Sequence, residues 1–155
     1  MQQLFNKVVI WSEVKGISTA PSTKQILKCW EEYGETCKAI GLNELDEIKD
    51  GIGDVAVTLI VLARQQNIHH DLNEMYETLS QTMQLQQERY YLKCIAEKLV
   101  KINDQVIMGK QVNQTDICKA LLYLNALAQT YDSSLEECLT LAYNVIVLRS
   151  GRMVN

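Results

Sequence analysis

Six acids stand in two short runs, Glu31, Glu32 and Glu35, then Glu47, Asp50 and Asp54. On helices of about 3.6 residues per turn, Glu31 and Glu35 stack one above the other with Glu32 beside them. Glu47, Asp50 and Asp54 fall within roughly 60° of one another on a helical wheel. Two helices joined by a short loop pack antiparallel, so these acid faces can converge. Carboxylates gathered without compensating bases suit hard divalent cations, and Mg2+ takes oxygen ligands together with substrate phosphates. Such ions make a bridged triphosphate electrophilic at phosphorus and turn a bound water into a nucleophile. The chemistry expected is metal-assisted hydrolysis of a phosphoric anhydride.

The two runs carry unequal weight. The first lies opposite an apolar stripe of Ile26, Trp30, Tyr33 and Cys37, and Lys28 and Lys38 are spaced to pair with its acids. Read alone, it is a solvated face of the kind that contributes little. The second run leads into a stretch that is apolar nearly all round from Val55 onward, the mark of a buried helix. Asp50 and Asp54 sit at the mouth of that stretch, and no lysine or arginine follows Asp54 until Arg64. A carboxylate in such a place must be paired or bound to metal to stay ionised. Gly51 and Gly53 flank these acids. Each costs about 0.5–1 kcal/mol relative to alanine inside a helix, so their presence implies close approach of a neighbouring helix or a ligand.

The elements that would position these acids are all helical. Leu4 to Val14 reads as a first helix ended by Gly16. Ser22 or Thr23 caps a second that runs to about Ile40, and Asn43 caps a third over about Glu44 to Gln66. Leu72 to Met108 contains neither Gly nor Pro. Leu72, Tyr76, Leu79, Met83 and Tyr90 mark one stripe there, Leu99, Ile102 and Val106 another, with a bend or break at the polar run Gln84 to Arg89. Thr115 caps a helix to about Thr130. Ser134 with Glu137 forms a capping box for the last, ending near Gly151. No segment alternates as a strand would, and Pro21 is the single proline. The fold expected is all-α, a bundle of five or six helices in one domain over residues 1–155.

Composition narrows the function classes. The net charge of −4 and the absence of a dense Lys/Arg cluster argue against a nucleic-acid partner. Five cysteines without a CxxC pair, and no charged-then-apolar leader, point to reduced thiols in a cytoplasmic setting. No apolar stretch is long enough to span a membrane, so no membrane partner is expected. His69 and His70 read as solvated turn residues. Trp11 and Trp30 read as core rather than base-stacking platforms.

Three stretches carry a family resemblance: LKCWEEYGETCKAI, IKDGIGDVAVTLIVLA and EECLTLAYNVIVLRSGRMVN, with WSEVKGI ahead of them. In this order and spacing the chain resembles the MazG-like, all-α nucleoside triphosphate pyrophosphohydrolases, especially the short versions common in phages. The resemblance spans nearly the whole chain. It implies cleavage of an NTP or dNTP to the monophosphate and pyrophosphate, with Mg2+ or Mn2+ as cofactor. It also implies a homodimer or homotetramer in a bacterial or phage-infected cell. The metal-holding acids it implies are Glu31, Glu32, Glu35 and Asp54; with Asp50 added from its place on the Asp54 face, the ligands expected are Glu32, Glu35, Asp50 and Asp54. Glu31, or another carboxylate that does not bind metal directly, would orient or deprotonate water.

The chain departs from the family pattern at two places. The usual second motif is ExxD, but Gly51 stands three before Asp54. Asp50 keeps the same face as Asp54, and Glu47 with Asp50 reads ExxD one turn early, so either supplies the fourth ligand. In the last helix Val145 stands where related chains often carry an acid. Asn144 and Arg149 remain, and with Lys28 they are the substrate-binding residues expected. Asn144, on an otherwise apolar helix, needs a partner, and Arg149 is placed to clamp a phosphate. Two other readings stand beside this one: an enzyme like the phosphoribosyl-ATP pyrophosphohydrolase of histidine synthesis, and a helical binding module without turnover.

Overall fold

The computed structural model describes residues 1–80 and 86–154, with side chains described as far as Arg149. Among these residues the fold is all-helical: α1 (Gln2–Val14), α2 (Ser22–Gly41), α3 (Leu45–Gln65), α4 (Leu72–Ser80), α5 (Glu88–Ile107), α6 (Gln114–Gln129) and α7 (Leu135–Val154), with a 3-10 turn over Ile17–Thr19. Seven helices replace the five or six expected. Gln86 and Gln87 are not helical and α5 starts after them at Glu88, inside the polar run where the break was expected. Part of that break, with Met83 of the apolar stripe, lies outside the described residues.

The bundle is built around α3. It packs against α1, α2, α6 and α7. From Gly51 to Ala63 every residue of α3 is buried except Asp54, which is half-buried. Antiparallel pairing with α2 is fixed by contacts at matching heights. Ser22 Oγ donates to Gln65 Oε1 at 3.2 Å, Gln25 Nε2 donates to the Thr58 carbonyl at 3.1 Å, and Gly51 meets Thr36. The opposite side of α2 leans on α5, where Tyr33 Oη donates to the Leu92 carbonyl at 2.7 Å and Trp30 Nε1 donates to Asn103 Oδ1 at 3.4 Å.

The glycines of α3 explain how its neighbours come so close. A Cβ on Gly51 would overlap the Thr36 side chain of α2. A Cβ on Gly53 would run into the Cys138 carbonyl of α7 and stand 2.9 Å from Ala142 Cβ. Only glycine lets both helices close on α3 at the level of Asp54.

Helix ends differ from expectation in instructive ways. Ser22 and Thr23 are already helical, Pro21 holds the cap position, and the Ser22 hydroxyl is used on Gln65 instead. Asn43 does not cap α3. It turns left-handed at φ 55° just past the end of α2, a conformation asparagine tolerates, and Glu44 takes the cap position. Asn113 rather than Thr115 caps α6, its side chain accepting from the Thr115 N–H at 2.9 Å. Ser134 does accept from the Glu137 N–H at 3.1 Å, but the Glu137 carboxylate goes to Lys49 rather than back to the cap. The last helix runs to Val154, past Gly151.

All five cysteines are free, four of them buried. His69 is less solvated than its polar turn suggests. Its ring lies 4.0 Å from that of His70, and burial lowers its pKa. No helix among the described residues is long and apolar enough to cross a membrane.

Candidate functional site

Two cavities of about 270 Å3 each open on either side of Asp54, which lines both. The first lies among α1, α2, α3 and α7. Trp11, Ile17, Val57, Val61 and Ile146 give it apolar walls, and Lys15, Lys28, Arg149, Gln25 and Glu32 give it polar ones. The second lies between α2 and α3 and is lined by Glu35, Lys38, Glu44, Glu47, Asp50 and Gly51 as well as Asp54. The sequence places an acid at the start of the most buried stretch of the chain, and Gly51 and Gly53 draw α2 and α7 in against it.

The electrostatics around Asp54 follow from that position. Burial, then the carboxylates of Glu32 and Asp50, push its carboxyl up from the ordinary 3.8 to about 7. Arg149 pulls the other way and Glu35 adds to the rise. Asp50 therefore acts on Asp54 through the shared face expected of it. Glu47 shares the second cavity but is exposed.

Lys28 holds Glu32 at 3.2 Å and Glu31 at 3.7 Å. Burial alone would lower the lysine's pKa, but Glu32, Glu31 and Glu35 outweigh it and raise it. The Glu32 carboxyl is raised too, which an ion pair by itself would not do. Its side chain is only 13% exposed, and burial with Glu35 beside it outweighs the pull of Lys28. Burial is the better guide for Glu32, because the lysine it meets is itself half in water.

Of the residues singled out in the sequence, Lys28, Glu32, Asp54 and Arg149 meet in the first cavity, and Glu35, Asp50 and Asp54 in the second. Glu31 and Asn144 line neither. The Glu31 side chain is 57% exposed, and Asn144 faces outward rather than into the bundle. The helical twist that brings Glu32 under Lys28 turns Glu31 away from α3. Trp11, Lys15 and Gln25 are additions. Trp11 looks like core in the sequence because its spacing fits the α1 stripe, yet that stripe forms one wall of the cavity. Nothing in the sequence marks Lys15, whose place in this wall depends on where α1 meets α7.

The donor set suits a hard divalent cation: carboxylate oxygens on two packed helices, with one carboxyl forced up by burial and then by its like-charged neighbours. Among the described residues no three His, Cys, Asp or Glu side chains are gathered tightly enough to hold a metal ion as they stand. The acids form an electrostatic neighbourhood rather than a finished coordination cage, and Lys28 occupies Glu32 within it.

No family model matches the chain, and no solved structure matches it. A protein of Haemophilus phage HP1 is similar over part of its length. It is described as an uncharacterized 18.2 kDa protein in the rep-hol intergenic region, and it is 36% identical over 76 residues. The match covers 48% of this chain and 47% of that protein, so it spans about half the length of the curated relative.

Proposed function

We propose that this chain is a divalent-cation-dependent pyrophosphohydrolase of the MazG-like, all-α kind, cleaving an NTP or dNTP to the monophosphate and pyrophosphate. The observation that carries the reading is Asp54. It is the half-buried acid in the most buried stretch of α3, shared by two cavities, and raised to about 7 by burial and by acids on two helices. A fold tolerates such a group at a cost, and clustered perturbed acids in a cleft mark functional sites.

Glu32, Glu35, Asp50 and Asp54 are the residues that would hold Mg2+ or Mn2+. When bound, the cation would neutralise phosphate oxygens and favour attack of water at phosphorus. The chain's own residues supply the rest. Lys28 and Arg149 bring positive charge to the phosphate chain from two sides of the first cavity. The apolar walls of that cavity lower the polarity beside these charges, which strengthens their interactions relative to open water. Because Glu31 faces outward, orienting the attacking water would fall to Glu32, one of the cation's own carboxylates, rather than to a separate base that binds no metal. The proposal includes assembly as a homodimer or homotetramer, which would cover Leu141, Val145 and Leu148, exposed at helical spacing along α7.

A binding module without turnover is the second reading, and the Lys28–Glu32 pair favours it, since it ties up a carboxylate the cation would need. One experiment separates them: pyrophosphate release from the ribo- and deoxyribonucleoside triphosphates, with Mg2+ and with EDTA. At least one triphosphate should yield monophosphate and pyrophosphate, and EDTA should abolish this. Release of orthophosphate instead, or no turnover on any triphosphate, overturns the proposal.

A further inference from the structure

Lys28 and a divalent cation have one carboxylate to share. Lys28 Nζ lies 3.2 Å from Glu32 and 3.7 Å from Glu31, about one turn further along α2. The Glu32 side chain is only 13% exposed, so its oxygens can be approached from few directions. The lysine is 52% exposed and swings on a flexible four-carbon stem. An ammonium and a divalent cation cannot both sit against Glu32, because they repel each other and need the same oxygens. The outward-facing Glu31 gives the lysine a second place to rest.

The pair governs more than one acid. After burial, Glu32 is the strongest influence on the Asp54 carboxyl, so whatever holds Glu32 also acts on α3. With Lys28 standing on Glu32, no three His, Cys, Asp or Glu side chains among the described residues are gathered tightly enough to hold a metal ion. Lys28 nevertheless lines the first cavity beside Lys15 and Arg149. A phosphate chain there offers the ammonium a more heavily charged partner than a single carboxylate, and charge-assisted contacts to phosphate are strong. A lysine drawn onto phosphate leaves Glu32 open to a cation at the same moment.

Resting on the pyrophosphohydrolase reading, we propose that Lys28 is a built-in rival of the divalent cation for Glu32, so that the cation binds well only when a phosphate chain draws the lysine away. Lys28 acts here as a positioning residue, through Glu32. Cation and phosphate chain then bind cooperatively, over and above the direct bridging of one by the other. Linkage is reciprocal, so what the lysine takes from cation affinity in the nucleotide-free protein returns as coupling when phosphate is present.

The test reads metal binding without turnover. Mn2+ is titrated into the nucleotide-free protein and followed by the loss of its free electron-spin signal and by calorimetry. Lys28→Met keeps an apolar stem and removes the charge. It should raise Mn2+ affinity about tenfold, inside the range of about 5–150-fold usual for coupled sites. Lys15→Met removes the same charge from the same cavity wall without touching the Glu32 pair. At ordinary ionic strength, where separated charges are screened, it should change Mn2+ affinity by less than about twofold. Lys28→Arg keeps both charge and pair and should bind Mn2+ no more tightly than wild type. Equal gains from Lys28→Met and Lys15→Met would reveal a general charge effect and overturn the proposal. So would no gain from Lys28→Met, a matching gain from Lys28→Arg, or Mn2+ binding by none of these proteins. If Lys28→Met fails to fold, Lys28→Gln takes its place. A gain from Lys28→Met in a protein whose wild type cleaves no triphosphate keeps the rivalry and overturns the enzymatic reading; wild-type cleavage with Mn2+ affinity indifferent to Lys28 does the reverse.

Discussion

Glu31 and Glu32 are adjacent, carry the same charge and contact the same lysine, yet their surroundings differ. Glu32 is 13% exposed and lines a cavity, whereas Glu31 is 57% exposed and lines none. An exposed ion pair contributes about 0–1 kcal/mol, so losing Glu31 costs little. Glu31→Gln should change kcat by less than about threefold. Glu32→Gln should lower it by about 10²–10⁴-fold, the range for a positioned acid or base. Steady-state kinetics on the best triphosphate measure both, and equal losses would return the role to Glu31. The sequence distinguishes these two poorly, because a helical wheel places them about 100° apart without saying which side the neighbouring helix takes. Asp54 is legible for the converse reason: the apolar run after it fixes its depth whatever the neighbours are. Trp11 and Lys15 are illegible because their role depends on where α1 meets α7, a contact between residues far apart in the chain.

At the level of elements, α3 decides what the site can be. Its periodicity reads correctly from the sequence, and so does the demand its glycines make for close neighbours. Which neighbour each glycine admits does not, because Gly51 faces α2 and Gly53 faces α7 only once the bundle is closed. Gly53→Ala would press its methyl on the Cys138 backbone carbonyl, which cannot swing aside as a side chain would. Overpacking of this kind typically costs about 1–3 kcal/mol, and each kcal/mol lowers Tm by about 2–4 °C in a chain of this size. Gly34, in α2, has nothing within 4 Å of a Cβ, so Gly34→Ala should stabilise by about 0.5–1 kcal/mol. Thermal unfolding of the two variants checks the contrast, and a Gly53→Ala protein as stable as wild type would show that α7 does not close on α3 there. Helix ends read less well than helix bodies. Asn43 and Asn113 are both reasonable caps, but one is pulled left-handed to end α2 and the other caps α6, and that choice belongs to the loops around them.

Across the whole molecule, the first cavity draws on residues from Trp11 to Arg149, so it exists only when α1, α2, α3 and α7 are all in place. Anything that relieves Asp54 should therefore register as global stability. Its carboxyl is raised in the fold from 3.8 to about 7, so between those values the folded state binds more protons than the unfolded one. The stabilisation from its proton is full below about 3.8 and is lost as pH rises through about 7. In EDTA, wild type should thus lose ground to Asp54→Asn between about pH 5 and pH 8, and at the higher pH the variant should melt as high or slightly higher. Adding Mg2+ or Mn2+ should raise the wild-type Tm, since a ligand bound to the folded state alone stabilises it by about 2.7 kcal/mol at a hundred times its Kd. Asp54→Asn should remove turnover and most of that metal-dependent rise. A structural Asp54, serving the core rather than a cation, predicts the reverse: a variant that melts several degrees lower in EDTA at every pH while its metal response stays intact. Unfolding curves for the two proteins, with and without metal at both pH values, decide between a strained acid kept for function and a core residue that happens to carry charge.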